Sequence, residues 1–172
     1  MHFAAKRSII VPAPNGYFLY CITTVMIVKT ISAREGLFSM LTNYHTHTTR
    51  CGHAEGTEEE YILTALRCGY KVLGFSDHTP WAYATPGFVS HIRMLPAQLD
   101  DYVLTLRSLR EKYADRLHLH IGLEAEYFPA YLGWLKEETE RLGIEYLILG
   151  CHYDTTDEQD AKARRFGGSA SP

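Results

Sequence analysis

The chain has 172 residues, a formal net charge of −3, and a composition that is 46% hydrophobic and 22% charged. These values fit one globular domain and exclude a disordered or fibrous chain. The lack of a basic excess argues against a nucleic-acid partner. The four cysteines form no Cys-x-x-Cys pair, which favours reduced thiols in a cytoplasmic protein over a disulfide framework.

Residues 1–39 differ in pattern from the rest of the chain. A basic start precedes an apolar stretch at residues 17–28, so a secretory signal peptide is one interpretation. Prolines and a glycine interrupt that pattern, and the stretch is shorter than the ~20 residues that span a bilayer. We therefore predict an extension outside the fold at 1–39, with Met40 as an alternative start, a domain at 40–160, an unstructured tail at 161–172 and no membrane partner.

The first half of the predicted domain reads as strand, helix and strand. Residues 41–45 form a short candidate strand. Thr57 lies three residues before Glu60, the spacing of a capping box, and therefore predicts a helix start. Gly69 ends that helix, and the apolar segment at 71–76 predicts a buried strand.

The second half repeats this alternation. Apolar residues at spacings of three and four predict a helix over 99–113, followed by a strand at 117–123. Pro129 opens a third helix and Gly143 closes it, and residues 145–150 form the fourth strand. Four strands separated by helices predict an α/β fold with a parallel sheet, open or barrel-like.

Ionisable side chains follow each of the four predicted strands. In chain order they are His45 and His47, Asp77 and His78, Glu124 and Glu126, and His152. The carboxyl ends of parallel strands meet at one edge of the sheet, where active sites form. The sequence therefore predicts one functional site at that edge.

Each motif is weak when taken alone. Nine histidines in this length give roughly one half of a His-x-His pair by chance. The pair His118 and His120 lies at the start of its strand, hence at the opposite face, and is interpreted as structural. His91 and Arg50 lie in loops, where the first could approach the site and the second could hold a phosphate, or both could be solvated.

The chemistry of the strand-end set favours metal binding. Neutral imidazole suits Zn, Fe and Mn, and a carboxylate can bridge two such ions. For Glu124 the alternative is a buried ion pair, which is disfavoured because no basic residue follows it before Lys136. Cys51 could be a nucleophile, but no Cys-x5-Arg loop follows it, and P-loop, GxGxxG and GxSxG patterns are missing from the sequence.

Five segments together resemble one known family. They are His45-Thr46-His47-Thr48, Arg50-Cys51-Gly52-His53-Ala54, Gly74-Phe75-Ser76-Asp77-His78, Gly122-Leu123-Glu124-Ala125-Glu126-Tyr127 and Gly150-Cys151-His152-Tyr153. In order and spacing they resemble the PHP (polymerase and histidinol phosphatase) family, in its histidinol-phosphatase branch, over about residues 40–155.

The resemblance implies a distorted (β/α)7 barrel with up to three divalent ions, Zn, Fe or Mn, at the strand ends. It implies hydrolysis of L-histidinol phosphate to L-histidinol in histidine biosynthesis, with a small phosphate ester as partner. The implied metal ligands are His45, His47, His53, His78, Glu124 and His152. Glu124 and Asp77 are the implied catalytic carboxylates. Asp77 and Glu126 would orient imidazoles, and Arg50 and His91 would contact substrate.

The match stops short of the family's last motifs. No histidine follows His152, so the later Asp-x-His motif has no counterpart. We therefore expect about the first four β/α units of the barrel, in a C-terminally truncated member. Two alternatives stay open, namely an inactive fragment that binds metal incompletely and a PHP phosphoesterase acting on nucleotides. The oligomeric state is not predicted.

Overall fold

The computed structural model describes residues 9–12, 18–21, 42–153 and 155–158. The strands are β1 (Ile9–Pro12), β2 (Phe18–Cys21), β3 (Thr42–Asn43), β4 (Val72–His78), β5 (His118–Ala125) and β6 (Tyr146–Leu149). The helices are α1 (Glu58–Arg67), α2 (Leu99–Tyr113) and α3 (Leu132–Leu142). Short 3₁₀ turns lie at Thr49–Cys51, Pro96–Gln98 and Pro129–Tyr131.

These strands form one sheet in the order β1-β2-β6-β5-β4-β3. The four strands β3 to β6 are parallel to one another and lie side by side in chain order. The helices that connect them supply the crossovers that parallel strands require. The predicted parallel α/β arrangement is confirmed, and it corresponds to part of a (β/α) barrel.

The two first strands come from the segment that we expected to lie outside the fold. β2 pairs in parallel with β6, through Leu19 opposite Leu147 and Tyr20 opposite Ile148, and β1 pairs antiparallel with β2. The expectation that none of residues 1–39 takes part is therefore corrected for these two strands, because an apolar strand can satisfy the backbone groups of the β6 edge. The boundary at residue 40 stays a prediction, and the proposed tail at 161–172 lies outside the described residues.

Local sequence signals set most of the element ends. Thr57 and Glu60 form the predicted capping box at the start of α1. α2 spans the predicted residues, and Gly143 ends α3 with a φ of +57°, a conformation that suits glycine. β4 continues two residues beyond its predicted end, so Asp77 and His78 are the last residues of a strand.

One aromatic side chain crosses the face of the sheet and ties its edge strand in place. The single proton of the Tyr146 hydroxyl is shared between the carbonyl oxygens of Tyr44, at 2.7 Å, and Phe75, at 3.0 Å. The side chain passes over Gly122 and Gly74, where an added Cβ would come closer than 3 Å to the tyrosine. The two glycines therefore allow β6 to hold the segment that precedes His45.

The buried core lies between the sheet and the helices. It includes Phe75, Ile121 and Leu123 from the strands, and Ile62, Tyr102 and Leu106 from the helices. Within the described residues no helix combines the length and the apolar character needed to cross a bilayer.

Candidate metal centre

Four imidazoles surround one carboxylate at the carboxyl end of the sheet. Glu124 is the penultimate residue of β5, at that edge, and is only 3% exposed. Its Oε2 is 3.1 Å from His45 Nε2, 3.3 Å from His47 Nε2 and 3.2 Å from His78 Nδ1. Its Oε1 is 3.4 Å from His152 Nε2. The four strand ends thus deliver their side chains to one point.

Several polar atoms of this cluster have no hydrogen-bond partner. Among the described residues, Glu124 Oε2 and His78 Nδ1, which face each other, are buried without a partner of acceptable geometry, and so are the Nδ1 atoms of His45 and His47. Buried polar atoms are rarely left in this state. The Nε2 atoms of His45 and His47, which face Glu124, lie 3.0 Å from each other. The imidazole nitrogens that face the charged Glu124 carboxylate, His45 Nε2, His47 Nε2 and His78 Nδ1, are donors that a divalent cation could use. The described residues contain three groups that could each hold an ion: His45, His47 and Glu124; His78, Glu126 and His152; and His47, Cys51 and His53.

The loop after β3 brings His53 to the same place. The 3₁₀ turn at Thr49–Cys51 ends at Gly52, whose φ of +75° reverses the chain. The ring centroid of His53 is then 5.1 Å from those of His47 and His78. Cys51 is fully buried, with its Sγ 3.9 Å from His53 Nε2. This thiol was predicted only as a possible nucleophile, whereas its position beside His47 and His53 makes it a potential ligand.

Asp77 holds the loop that carries the first two histidines. Its Oδ1 accepts a hydrogen bond of 2.6 Å from the Thr48 amide, and its Oδ2 accepts one from the Thr48 hydroxyl. Oδ1 is also 3.7 Å from His47 Nδ1. Burial raises the pKa of the Asp77 carboxyl, because it outweighs the two bonds from Thr48 that favour the charged form. These contacts fit a residue that orients the loop and the His47 ring.

Glu126 belongs to a buried network that the sequence analysis did not predict. Its Oε1 lies 2.8 Å from His152 Nδ1, and its two oxygens accept a bidentate pair of hydrogen bonds from Arg93. Trp81 Nε1 donates to Oε2 at 3.1 Å. The prediction considered only basic residues that follow Glu124, whereas Arg93 precedes both carboxylates and pairs with Glu126. A single arginine in a loop otherwise rich in Pro, Gly and aromatic residues was the available signal in the sequence.

The pKa values of two imidazoles in the cluster, His47 and His78, are shifted in opposite directions. Burial lowers the pKa of His78 to about 2, so this ring is neutral. For His47 burial also favours the neutral ring, but contacts with Cys51 and Glu124 outweigh it and raise the pKa to about 9. Burial opposes ionisation of Glu124, yet His45 and His47 overcome it and the pKa lies well below its usual value. Glu124 is therefore an anion ready to hold positive charge.

The two residues predicted to contact substrate, Arg50 and His91, make no contact with the histidine and carboxylate cluster among the contacts of the described residues. The Arg50 guanidinium pairs with Glu58 and, at 2.7 Å, with Asp101. His91 is exposed, and its carbonyl oxygen lies 3.1 Å from where a Cβ on Gly52 would be. Their contact with a substrate stays a prediction, and the ion pairs of Arg50 weigh against it because they already engage its charge.

The fold and the site together define a class of protein: a parallel α/β sheet of partial-barrel form, with a buried histidine and carboxylate cluster at the carboxyl ends of its strands. The PHP domain family model matches residues 43–167. The chain belongs to the PHP domain family, as the sequence motifs predicted.

Three similar proteins illustrate the relationship. A "Probable histidinol-phosphatase" of Deinococcus radiodurans is 34% identical over 116 residues, which cover 66% of this chain and 42% of that protein. The crystal structure of the hisK protein of Listeria monocytogenes matches with a TM-score of 0.56 and 22% identity, over 74% of this chain and 55% of that one. The histidinol phosphate phosphatase of Lactococcus lactis, solved with zinc, L-histidinol and phosphate, matches with a TM-score of 0.52 and 18% identity, over 64% and 40%. The two structures share the fold, and the chain spans about half or less of the length of each protein.

Proposed function

We propose that this chain carries the metal site of a phosphomonoesterase that hydrolyses L-histidinol phosphate to L-histidinol and phosphate, a step of histidine biosynthesis in the cytoplasm. The observation that carries the proposal is the convergence of four imidazoles on Glu124 at the carboxyl edge of the sheet. The substrate follows from the histidinol-phosphatase name of the 34% identical relative and from the histidinol and phosphate bound in the structure with the same fold.

The contacts support a proposed ligand set. We assign as metal ligands His45, His47, His53, His78, Glu124 and His152, with divalent Zn, Fe or Mn as the ions. Glu124 would hold more than one ion, because both of its oxygens face imidazoles from different strands. The neutral ring of His78 suits it for ligation, since a protonated ring has no free lone pair.

Divalent ions would supply Lewis acidity that neutralises phosphate oxygens and makes hydroxide available from water near neutral pH. Two carboxylates of the chain itself prepare the site for them. Asp77 holds the loop of His45 and His47 through Thr48, and Glu126 holds the ring of His152. The rings are thereby oriented before an ion arrives, which avoids the cost of ordering them on binding.

The test is release of inorganic phosphate from L-histidinol phosphate by zinc-loaded protein. We expect His47→Ala to abolish release. His118→Ala is the matched control, because His118 is exposed at the amino end of β5, and it should keep the wild-type rate. Equal rates from wild type and His47→Ala would contradict the proposal. A panel containing nucleoside monophosphates and a short DNA would distinguish a nucleotide phosphoesterase.

A second candidate is a non-catalytic PHP domain that binds metal incompletely. It is favoured by the fact that the chain spans only 42% of the length of the Deinococcus relative. Elemental analysis separates the two candidates. Two or more ions per chain, with phosphate release, support the phosphatase. Fewer than two ions without release support the non-catalytic domain.

A further inference from the structure

Arg93 is a buried cation that connects three separate parts of the chain. It lies in the loop between β4 and α2, and its side chain is 1% exposed. It donates to Glu126 through both terminal nitrogens, at 2.9 and 2.8 Å, and to Asp157 Oδ2 through Nε at 3.1 Å. The loop, the end of β5 and the segment after β6 therefore meet at one guanidinium.

This arrangement fixes the orientation of the His152 ring. An ionised carboxylate only accepts hydrogen bonds, so the 2.8 Å contact with Glu126 Oε1 requires His152 Nδ1 to carry a proton. The neutral ring is then left with its lone pair on Nε2, the atom that faces Glu124 Oε1 at 3.4 Å. Arg93 binds both oxygens of Glu126 and so fixes the orientation of the carboxylate that accepts the hydrogen bond from His152 Nδ1.

The same guanidinium also holds the main chain that follows His152. Asp157 accepts hydrogen bonds from Arg93, from Ser90 Oγ at 2.7 Å and from the Tyr83 hydroxyl. Asp157 is 7% exposed and lies five residues after His152. The ring is thus held through Glu126, and its chain segment is held through Asp157.

We propose that Arg93 is a positioning residue of the metal centre, which selects the His152 tautomer and aims its Nε2 at the ion. The role is exerted through Glu126 and Asp157, and Arg93 itself touches no reacting atom. Burying a cation between two carboxylates stabilises a protein little in general, so the network is better explained by the geometry that it imposes. The proposal rests on the proposed function.

The first measurement uses the metal-free full chain at alkaline pH, where neutral His152 shows its tautomer in ¹⁵N-histidine NMR spectra. Wild type should show the Nδ1-protonated form. Arg93→Lys keeps the charge and loses the bidentate geometry, and we expect a mixture of tautomers. Arg141→Met is the control, since it removes an exposed arginine that is bidentate to Asp100, and it should keep the wild-type form. An unchanged tautomer in Arg93→Lys would overturn the proposal.

The second measurement is the zinc dissociation constant. Groups that orient a ligand typically change affinity roughly 10- to 100-fold, and we expect Arg93→Lys to weaken zinc binding in that range. The same substitution in a His152→Ala background should have almost no further effect, because its target is then gone. An equal loss in both backgrounds would show a merely structural role and overturn the proposal.

Failure of the proposed function gives a different result. If wild type binds no zinc, the metal site is disproved, while the tautomer measurement still decides whether Arg93 orients His152. Arg93→Met, which also removes the charge, should shift the tautomer further than Arg93→Lys. If circular dichroism shows that Arg93→Met does not fold, Arg93→Lys alone decides the question.

Discussion

Two His-x-His pairs lie at opposite ends of the same parallel sheet. His45 and His47 follow β3 at the carboxyl edge, where both face the buried Glu124. His118 and His120 begin β5 at the amino edge, where His120 Nδ1 is 2.6 Å from Glu145, a carboxylate that also pairs with Arg110. The motif is identical, but only the first pair lies among further imidazoles and buried carboxylates.

The comparison teaches that placement along a strand decides what a histidine pair can do. At the amino edge the partners are partly exposed, so water and salt screen their charges and the pairs stabilise little. At the carboxyl edge Glu124 Oε2 and the Nδ1 atoms of His45, His47 and His78 are buried without hydrogen-bond partners. The predictions that follow test this difference.

The largest effect is expected from Glu124→Gln. The variant keeps the shape and loses the charge that would offset repulsion between two cations. Metal content should fall, and phosphate release should drop by more than about 100-fold, with the circular dichroism spectrum preserved. The matched control at the amino edge is Glu145→Gln, which should keep wild-type metal content. Full metal content in Glu124→Gln would refute its assignment as the bridge.

Glu126→Gln should have a smaller effect. The variant keeps one oxygen acceptor for His152 but loses the charge that strengthens this hydrogen bond. The ring is then oriented less firmly, and we expect metal affinity to fall roughly 10-fold. Elemental analysis beside Glu124→Gln makes the comparison. Should Glu126→Gln be the variant that loses more metal, the two carboxylates have the opposite roles.

Gly150→Ala tests how closely the carboxyl edge is packed. An added Cβ would lie 2.7 Å from His152 Cε1 and 3.0 Å from Glu124 Oε1, so the His152 ring must shift. We expect zinc affinity to fall several-fold, within the roughly tenfold cost of a misoriented ligand. The control is Gly133→Ala in α3, where the added Cβ meets nothing within 4 Å. That variant should gain about 0.5–1 kcal/mol in unfolding free energy and keep its affinity.

Removal of residues 1–39 should produce the smallest effect. β2 and β6 share only two registered pairs, so we expect the free energy of unfolding to fall by about 1 kcal/mol or less. Metal content should not change, because no residue of the carboxyl-edge cluster lies in that segment. Denaturant unfolding is the measurement. A loss of several kcal/mol would show that the β1–β2 hairpin is integral to the sheet.

Much of the fold and of the candidate site could be predicted from local patterns. The capping box of α1 acts within one helical turn, and the bounds of α2 follow from the spacing of apolar residues on one face. The convergence of the strand-end side chains follows from parallel topology alone. Parallel topology places both Glu124 and Glu126 at this edge, and the choice of Glu124 as the metal ligand came from the resemblance to the family.

The sequence by itself therefore determined the alternation of strands and helices, the edge at which the ionisable groups meet and the family to which the chain belongs. Only the tertiary structure decided which charges pair. Arg93 reaches Glu126 across 33 residues, and Tyr146 reaches Tyr44 across 102. Such contacts depend on the path of loops and on the close approach of strands at Gly74 and Gly122. Local propensity carries no information about them, because their energy arises from burial and charge between segments distant in the chain.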